Sequence, residues 1–288
     1  MTKLKGILLT QGMHGMISQV EGLAKALDLD FTHHTVELNN FWKLFPPKFT
    51  PISQNVFKKI DAKDYDVIIS CGRKSVIPSI YLKKNSSKKI INIHIQDPKV
   101  NLNNFSFVIA PEHDQLKGEN VLSTKGAMHY LTKGEIHKHT NYLRDRLQIG
   151  KEYFLLILGG PTKHYDYSDI NILNILNLFN DLVQKNNLQG IVIPSIRTPK
   201  NIIELSKDKL SKSSLVVETV DKKAYLSALS LAKYISVTCD STSMISEAAL
   251  TGKPIYVGEI PAKKNDRRIQ KFKELFYQLN IIKRLENK

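Results

Sequence analysis

The sequence predicts an α/β protein made of two Rossmann-like domains, each built on a parallel sheet, that face one another across a cleft. Its 288 residues are about twice the usual length of a single domain. Short apolar strands alternate with helical stretches, the pattern of parallel sheets covered by helices on both faces. The halves also resemble each other: VIISCGRKS (67–75) and YISVTCDSTS (234–243) both run from an apolar strand through a cysteine and a polar turn into a helix.

The predicted elements divide into two series. Strands are expected at 4–10, 32–37, 67–70, 90–94, 107–110 and 120–122, and then at 153–158, 190–194, 215–218, 234–238 and 254–257. A charged helix at 133–147 and a linker at 148–151 place the domains at residues 1–149 and 150–288. A basic amphipathic helix at 266–279 is expected to pack back on the N-terminal domain.

The charge of the chain favours an anionic partner. Lys and Arg number 42 against 27 Asp and Glu, a formal net charge of +15. Such a field attracts phosphorylated small molecules or an anionic membrane surface, although a lysine-rich solubilising surface explains the charge equally well. No arginine-rich arm or aromatic RNA-binding motif is seen, so nucleic acid is not expected. No run approaches the roughly 18 apolar residues of a membrane span. We expect a cytoplasmic protein, with peripheral contact at the inner face of the membrane.

Neither the cysteines nor the acidic pairs predict a metal site. Cys71 and Cys239 lack the spacing of metal ligands and each ends an apolar run, so buried thiols are expected. The D-x-D patterns at 28–30 and 64–66 each lead into the start of a strand, at the wrong sheet edge for catalysis. No bound metal or cofactor is predicted.

The strand-end loop LGGPTKHY (158–165) predicts phosphate binding. Gly159 and Gly160 would free backbone amides, and Lys163 would supply a point charge for a phosphate. Arg197, in the loop after the next strand, would add a bidentate contact to a phosphate or a carboxylate.

The segment 237–257 carries the most specific signal. A strand delivers Asp240, Ser241 and Ser243 to the start of a helix, where hydroxyls and unpaired amides can hold an anion. Glu247 lies about one turn further along that helix. The alternative interpretation is that the Ser and Asp residues only cap the helix.

The N-terminal half offers candidates for a general base. His14 lies in the loop TQGMHGMISQ between Gly12 and a helix, where a tight turn and a surface histidine are the alternatives. Other strand-end candidates come from QDP and PEHD, namely Asp97, Glu112, His113 and Asp114. In PEHD the acidic residues could instead only cap the loop.

Two family resemblances sharpen these expectations. The pattern S-x-x-x-E-A-x-x-x-G-K-P at 243–254 is similar to the nucleotide-binding segment of glycosyltransferase-B enzymes. The resemblance implies a cleft-forming fold of that type and a nucleotide-diphosphate sugar substrate without a metal. It also implies that Glu247 contacts the ribose and that Ser241, Thr242 and Ser243 lie near the phosphates.

A closer resemblance covers nearly the whole chain. The segments SCGRKSVIPSIYLKK, IHIQDPKV, VIAPEHDQLKGENVLSTKGAMHYLT, LGGPTKHY and SIRTP resemble the plant mitochondrial-fission "elongated mitochondria" family. Its bacterial members are labelled predicted nucleoside-diphosphate-sugar epimerases, and its plant member is described as a recruiter of a dynamin-related protein. The resemblance therefore leaves three functions open. These are glycosyl transfer to an envelope or lipid-linked acceptor bound by the N-terminal domain, epimerisation of a nucleotide sugar, and a non-catalytic adaptor role.

Overall fold

The structure is a computed structural model, and it describes residues 2–61 and 64–286. The chain divides into two compact units, Met1–Tyr130 and Leu131–Lys288. Each unit contains one six-stranded sheet in which every neighbouring pair of strands is parallel. The predicted class, two Rossmann-like α/β domains, is confirmed.

The sheet of the N-terminal unit has the order β2-β1-β3-β4-β5-β6. Alternate residues of its strands enter two apolar cores, since Ile7 and Leu9 face one cluster and Leu8 faces the other. The elements of this unit are β1 (Lys5–Thr10), α1 (His14–Ala26), β2 (Asp30–Thr35), β3 (Val67–Cys71), α2 (Val76–Lys84), β4 (Ile91–Ile95), β5 (Phe107–Pro111) and β6 (Val121–Thr124).

A long connection joins β2 to β3 and contains three short 3₁₀ turns, Trp42–Leu44, Pro47–Phe49 and Gln54–Val56. It is tied down at its base by an isolated bridge between Leu38 and Phe57. Trp42 packs against the adjoining core. The connection is therefore held against the N-terminal core at Trp42 and at its base.

The sheet of the C-terminal unit has the order β12-β11-β10-β7-β8-β9. Its central strand β7 is buried from Phe154 onward, which matches the continuous apolar run in its sequence. The elements are α3 (Lys133–Lys138), a 3₁₀ helix (Thr140–Arg146), β7 (Tyr153–Leu158), α4 (Asp169–Lys185), β8 (Gln189–Pro194), α5 (Lys200–Lys209), β9 (Leu215–Val216), α6 (Lys222–Leu231), β10 (Tyr234–Thr238), α7 (Thr242–Ala249), β11 (Ile255–Gly258), α8 (Arg267–Gln278) and β12 (Ile282–Arg284).

The units divide earlier in the chain than the linker at 148–151 suggested. The segment 132–147 packs on α6 of the C-terminal unit, where Leu143 is fully buried. Its backbone is held there because the Leu143 amide donates to the Ser227 hydroxyl at 3.1 Å. That hydroxyl in turn donates to the Thr140 carbonyl at 2.9 Å. The contacts therefore assign this charged segment to the second unit, and the division falls between Tyr130 and Leu131.

The packing of the last helix on the N-terminal domain stays a prediction. The structure assigns α8 to the C-terminal unit. There Phe272 and Phe276 are buried, and Lys273, only 3% exposed, pairs with Glu259 at 2.6 Å. The strand β12 that follows α8 completes the sheet and was not predicted. Its three residues, IKR, are too few and too polar to show a strand pattern.

Two smaller expectations concern single residues and membrane spans. Cys71 and Cys239 are both buried, as predicted. In the ranges that the structure describes, no helix combines the length and the apolar character that crossing a membrane requires.

Candidate functional site

Polar groups from three loops come together at the carboxyl edge of the C-terminal sheet. Because all strands of this sheet are parallel, the loops after β7, β8 and β10 emerge at the same edge. These loops carry Gly159 and Gly160, Arg197, and Asp240, respectively. Residues predicted from three separate motifs are thus brought together.

Asp240 is the centre of this arrangement. Its side chain is fully buried, and its Oδ2 accepts hydrogen bonds from the Gly160 amide at 3.1 Å and from the Arg197 guanidinium at 2.8 Å. Its Oδ1 accepts from the Thr238 hydroxyl at 2.7 Å. That hydroxyl also accepts the Gly159 amide at 2.8 Å. The carboxylate therefore binds the two strand-end loops to β10.

The two glycines are required by this close packing. A Cβ on Gly159 would lie 2.1 Å from Oδ2 of Asp240, and one on Gly160 would lie 2.1 Å from the Arg197 carbonyl oxygen. The sequence predicts that the amides of this loop bind a phosphate, whereas both amides donate to groups of the protein itself. Arg197 likewise uses two of its five N–H donors within the protein, one to Asp240 and one to the Gly160 carbonyl at 3.1 Å.

A pocket of about 520 Å³ opens beside Asp240. It is formed by the loop after β7, by the start of α7 and by the start of α8. The lining residues are His164, Asp240, Ser241, Thr242, Asn265, Asp266, Arg267, Arg268 and Ile269. Two helix N-termini thus contribute to one pocket, and each has backbone N–H groups without a partner in its own helix.

The electrostatics of the pocket suit an anion on the side of α8. Arg267 and Arg268 begin that helix, so their positive charge adds to the positive end of the helix dipole. At the start of α7, Ser241 is the N-cap, and its hydroxyl accepts the Met244 amide at 3.4 Å. Ser241 thus caps the helix and also lines the pocket, and its contact with an anion stays a prediction.

Asp266 fixes the position of α8 at the pocket. The hydroxyl of the buried Tyr165 donates to its Oδ2 at 2.5 Å, and the Gln270 amide donates to the same oxygen at 2.8 Å. Burial opposes ionisation of Asp266, but these hydrogen bonds outweigh burial and lower its pKa. Burial and the bond to Asp266 both raise the pKa of Tyr165, so the tyrosine stays a donor.

Three other predicted residues of this unit lie outside the lining of the pocket. Glu247, on α7, accepts a hydrogen bond from the Tyr225 hydroxyl of α6 at 2.8 Å. Burial raises the pKa of Glu247, and this hydrogen bond only partly offsets it. Ser243 is part of the first turn of α7, and Lys163 is an exposed neighbour of His164.

The candidate bases of the N-terminal unit occupy different environments. His14 is the first residue of α1 and is exposed. Asp97 follows β4 and accepts the Lys99 amide at 2.8 Å and its ammonium at 2.5 Å. Both residues are placed at the carboxyl edge of the N-terminal sheet.

The PEHD loop after β5 differs from this. Nε2 of His113 lies 3.7 Å from Oδ1 of Asp114, and the two side chains are only 1% and 7% exposed. Glu112 pairs with Lys125 at 2.8 Å. A base must touch the group that it deprotonates, so the buried imidazole is poorly placed for that role in this conformation.

A cluster of amides at the same edge was missed by sequence reasoning. The Gln96 side chain donates to Oε1 of Gln19 at 3.3 Å. Gln96 has a φ of +82°, which is rare for a residue with a side chain and costs conformational energy. Gly72 has a φ of +91°, and a Cβ there would meet the Gln11 amide at 2.5 Å. The only available signal was the position of Gln96 directly after a strand in the QDP motif.

Other residues were missed at the pocket itself. Asp266, Arg267 and Arg268 were read only as part of a basic amphipathic helix, and His164 only as a neighbour of Lys163. Within the described residues, no three His, Cys, Asp or Glu side chains come together as a metal site.

The model of the family described as mitochondrial fission ELM1 matches residues 14–288. An uncharacterised protein of Rickettsia prowazekii (strain Madrid E) is 26% identical over 84% of this chain and 80% of its own length. The mitochondrial fission protein ELM1 of Arabidopsis thaliana is 24% identical over 66% of this chain, and the match spans about half (51%) of that protein.

Solved structures share the fold. The UDP-GlcNAc 2-epimerase of Neisseria meningitidis, bound to UDP-GlcNAc, gives a TM-score of 0.53 at 14% identity, covering 99% of this chain and 95% of the epimerase. The ADP-heptose LPS heptosyltransferase II of E. coli gives a TM-score of 0.51 at 10% identity, covering 96% and 99%. These proteins have the glycosyltransferase-B fold, so the predicted fold type is confirmed.

Proposed function

The chain belongs to the mitochondrial fission ELM1 family, and from this premise we propose that it is an enzyme acting on a nucleotide-diphosphate sugar. The observation that carries the proposal is the pocket in which the starts of α7 and α8 meet beside Arg267 and Arg268. A diphosphate carries two or more negative charges, and helix N-termini with arginines are suited to hold it. Solved proteins of the same fold include nucleotide-sugar epimerases and a glycosyltransferase.

Within this proposal the residues of the C-terminal unit take distinct roles. Ser241 and Thr242 offer hydroxyls and backbone amides to the phosphates, together with Ser243 of the same turn. Arg267 and Arg268 neutralise the diphosphate. Lys163, an exposed cation next to His164 in the chain, adds a further positive charge. Glu247 contacts the ribose. Burial raises the pKa of Glu247, and the hydrogen bond from Tyr225 opposes that rise.

Asp240, Gly159, Gly160 and Arg197 support the site rather than bind the diphosphate directly. The Asp240 carboxylate already accepts the Gly160 amide and the Arg197 guanidinium. A phosphate placed there would meet a buried negative charge. Arg197 is 36% exposed, so its remaining donors can still reach a ligand from the solvent side.

The reaction we favour is glycosyl transfer to an envelope or lipid-linked acceptor. The acceptor oxygen forms a bond to the anomeric carbon while the bond from that carbon to the diphosphate breaks. The helix dipoles and arginines stabilise the charge that develops on the leaving diphosphate. His14 and Asp97 are the proposed bases of the N-terminal unit, with the pair His113 and Asp114 holding the neighbouring loop. An epimerase would convert the nucleotide sugar without any acceptor.

A non-catalytic adaptor is the second candidate, favoured by the family's fission members and by the basic charge of the chain. It requires no nucleotide. Under that role the polar residues of the α7–α8 pocket serve only to hold the two helices in place.

A thermal-shift screen tests the proposal. Each of UDP, GDP, ADP and CMP, and their common sugar conjugates, is added to the full chain, and a ligand at about 100 times its Kd should add about 2.7 kcal/mol to the free energy of unfolding. The double variant R267Q/R268Q should lose the shift, and the single variant Glu247→Ala should weaken it. Arg144→Gln, a change at an exposed arginine of the 3₁₀ helix Thr140–Arg146, is the matched control and should keep it. The absence of a shift with every nucleotide would overturn the enzyme assignment in favour of the adaptor.

A further inference from the structure

Large apolar side chains are exposed together in the connection between β2 and β3. Phe41 is 60% exposed, Leu44 79%, Phe49 67% and Ile52 39%. Single exposed apolar residues are ordinary, but a contiguous group of them marks an interaction surface. We call residues 41–52 the apolar segment.

The apolar segment is held in this arrangement by packing. Trp42 contacts the core of the N-terminal unit. The Phe41 ring packs edge-on against the Trp42 ring, at a centroid distance of 4.9 Å. Phe45 lies 5.0 Å from Phe41. Pro47 is buried, and the Thr50 hydroxyl donates to the Pro46 carbonyl at 3.0 Å. The loop that carries the exposed rings is therefore fixed by packing and by a hydrogen bond.

The apolar segment itself carries only positive charge, and Glu37 is the acidic residue beside it. Residues 38–60 contain four lysines and no acidic residue. Lys43 and Lys48 lie inside the segment, and the Lys48 ammonium is 5.9 Å from the centre of the Phe49 ring. Arg73 donates to the Lys43 carbonyl at 2.5 Å, which adds a third cation beside the segment. Lys58 is paired with Glu37 and adds little.

We infer that the apolar segment docks the protein on an anionic lipid bilayer. Phe41, Leu44 and Phe49 would enter the boundary between headgroups and acyl chains, and Lys43 and Lys48 would contact lipid phosphates. Aromatic and leucine side chains flanked by lysines are the composition of interfacial membrane segments. Protein interfaces, by contrast, are depleted in lysine. The inference rests on residues of the N-terminal unit alone and does not depend on the nucleotide proposal.

Vesicle sedimentation tests this docking. The full chain is mixed with vesicles of phosphatidylcholine alone or of phosphatidylcholine with phosphatidylglycerol, at low and moderate salt. We expect binding to the anionic vesicles only, weakened by salt. The variant F41S/L44S/F49S should reduce the partition coefficient by at least about tenfold, because each exposed large side chain contributes that much when buried. K43Q/K48Q should reduce both the binding and its dependence on salt.

Ile149→Ser is the matched control, since Ile149 is 100% exposed but lies outside the segment. This variant should bind vesicles as the unchanged protein does. Because the variants alter exposed side chains, we expect each to fold. An unfolding temperature equal to that of the unchanged protein will show this. Equal vesicle binding by F41S/L44S/F49S, or no binding of the unchanged protein to anionic vesicles, would overturn the inference. A third outcome would also overturn it. If the unchanged protein does not bind vesicles but self-associates in sedimentation velocity, and F41S/L44S/F49S does not self-associate, the segment joins two copies of the chain.

Discussion

The guanidinium of Arg197 donates a 2.8 Å hydrogen bond to the fully buried carboxylate of Asp240, 43 positions later in the chain. The same oxygen accepts the Gly160 amide at 3.1 Å. An internal carboxylate thus takes the donors that a strand-end glycine loop commonly offers to a phosphate. We therefore propose that an anion binds this unit at the starts of α7 and α8 instead.

Replacing Asp240 with Asn tests whether the carboxylate holds the loops. An amide in place of one carboxylate oxygen turns an NH₂ group toward the donors that now converge on Asp240. We expect the free energy of unfolding to fall by about 2 kcal/mol, the usual scale of a charged hydrogen bond. Urea denaturation at neutral pH measures the change. Asp181→Asn, at an exposed position of α4, should stay within about 0.5 kcal/mol; a comparable loss in both variants would contradict the prediction.

Gly160→Ala should be destabilising for a steric reason. Its Cβ would lie 2.1 Å from the Arg197 carbonyl oxygen, so the loop must shift. Overpacking of this kind costs about 3 kcal/mol. Gly134→Ala is the matched control, because a Cβ on Gly134 of α3 has its nearest neighbour at 3.9 Å. The control should stabilise the protein by about 0.5 kcal/mol, since alanine favours a helix. A thermal or urea unfolding series that gives both variants the same sign would refute this reading of the loop.

The fold could be predicted from the sequence because each strand carries its own apolar run. The pattern of β7 or β10 is visible within six residues and requires no knowledge of distant contacts. The strand β12 could not be predicted, because its pairing with β11, and not its composition, makes it a strand. The division between the units escaped for a similar reason, since only the hydrogen bonds of Ser227 show which unit holds Thr140 and Leu143.

The site was predictable only in part. Asp240, Ser241 and Thr242, which the motif at 237–257 singled out, line one pocket, because a strand end and a helix start are local features. The groups that lie against Gly159 and Gly160 come from distant parts of the chain. The sequence therefore indicates two flexible positions, but not the Asp240 carboxylate and the Arg197 carbonyl that leave no room for a side chain there. The role proposed for Arg267 and Arg268 likewise depends on where α8 begins relative to α7. The catalytic assignments of His14, Asp97, His113 and Asp114 stay predictions.

Tyr165→Phe should weaken the attachment of α8 in a pH-dependent way. The Tyr165 hydroxyl donates to Asp266 and helps lower the pKa of that carboxyl, so its contribution is present while Asp266 is ionised. At neutral pH the variant should lose about 1–2 kcal/mol of unfolding free energy. That difference should shrink as the pH falls below the ordinary Asp pKa of about 3.9 and through the lowered value, because the protonated carboxyl is a weaker acceptor. Urea denaturation from pH 7 to pH 3 measures it, and a difference that is constant over this range would rule out the ionised partner.

His94 should make the stability of the protein fall in acid. Burial lowers the pKa of this imidazole from 6.5 to about 3, although the charge of Asp97 opposes the shift. Its ring lies 2.9 Å from the Ser70 hydroxyl and packs against Phe105. Between those two pKa values the unfolded chain binds one more proton than the folded chain. Stability should therefore drop by about 1.4 kcal/mol for each pH unit below 6.5 because of this residue.

The variant His94→Asn isolates that contribution. It removes the titrating group, so the difference in unfolding free energy between the unchanged protein and the variant should change with pH at about 1.4 kcal/mol per unit between pH 6 and pH 4. His137→Asn, at an exposed position of α3, serves as the control and should leave the pH dependence close to that of the unchanged protein. Both are measured by urea denaturation at fixed ionic strength. A His94→Asn series that runs parallel to the unchanged protein would mean that His94 takes up its proton in the folded state, and that the pocket around it admits water.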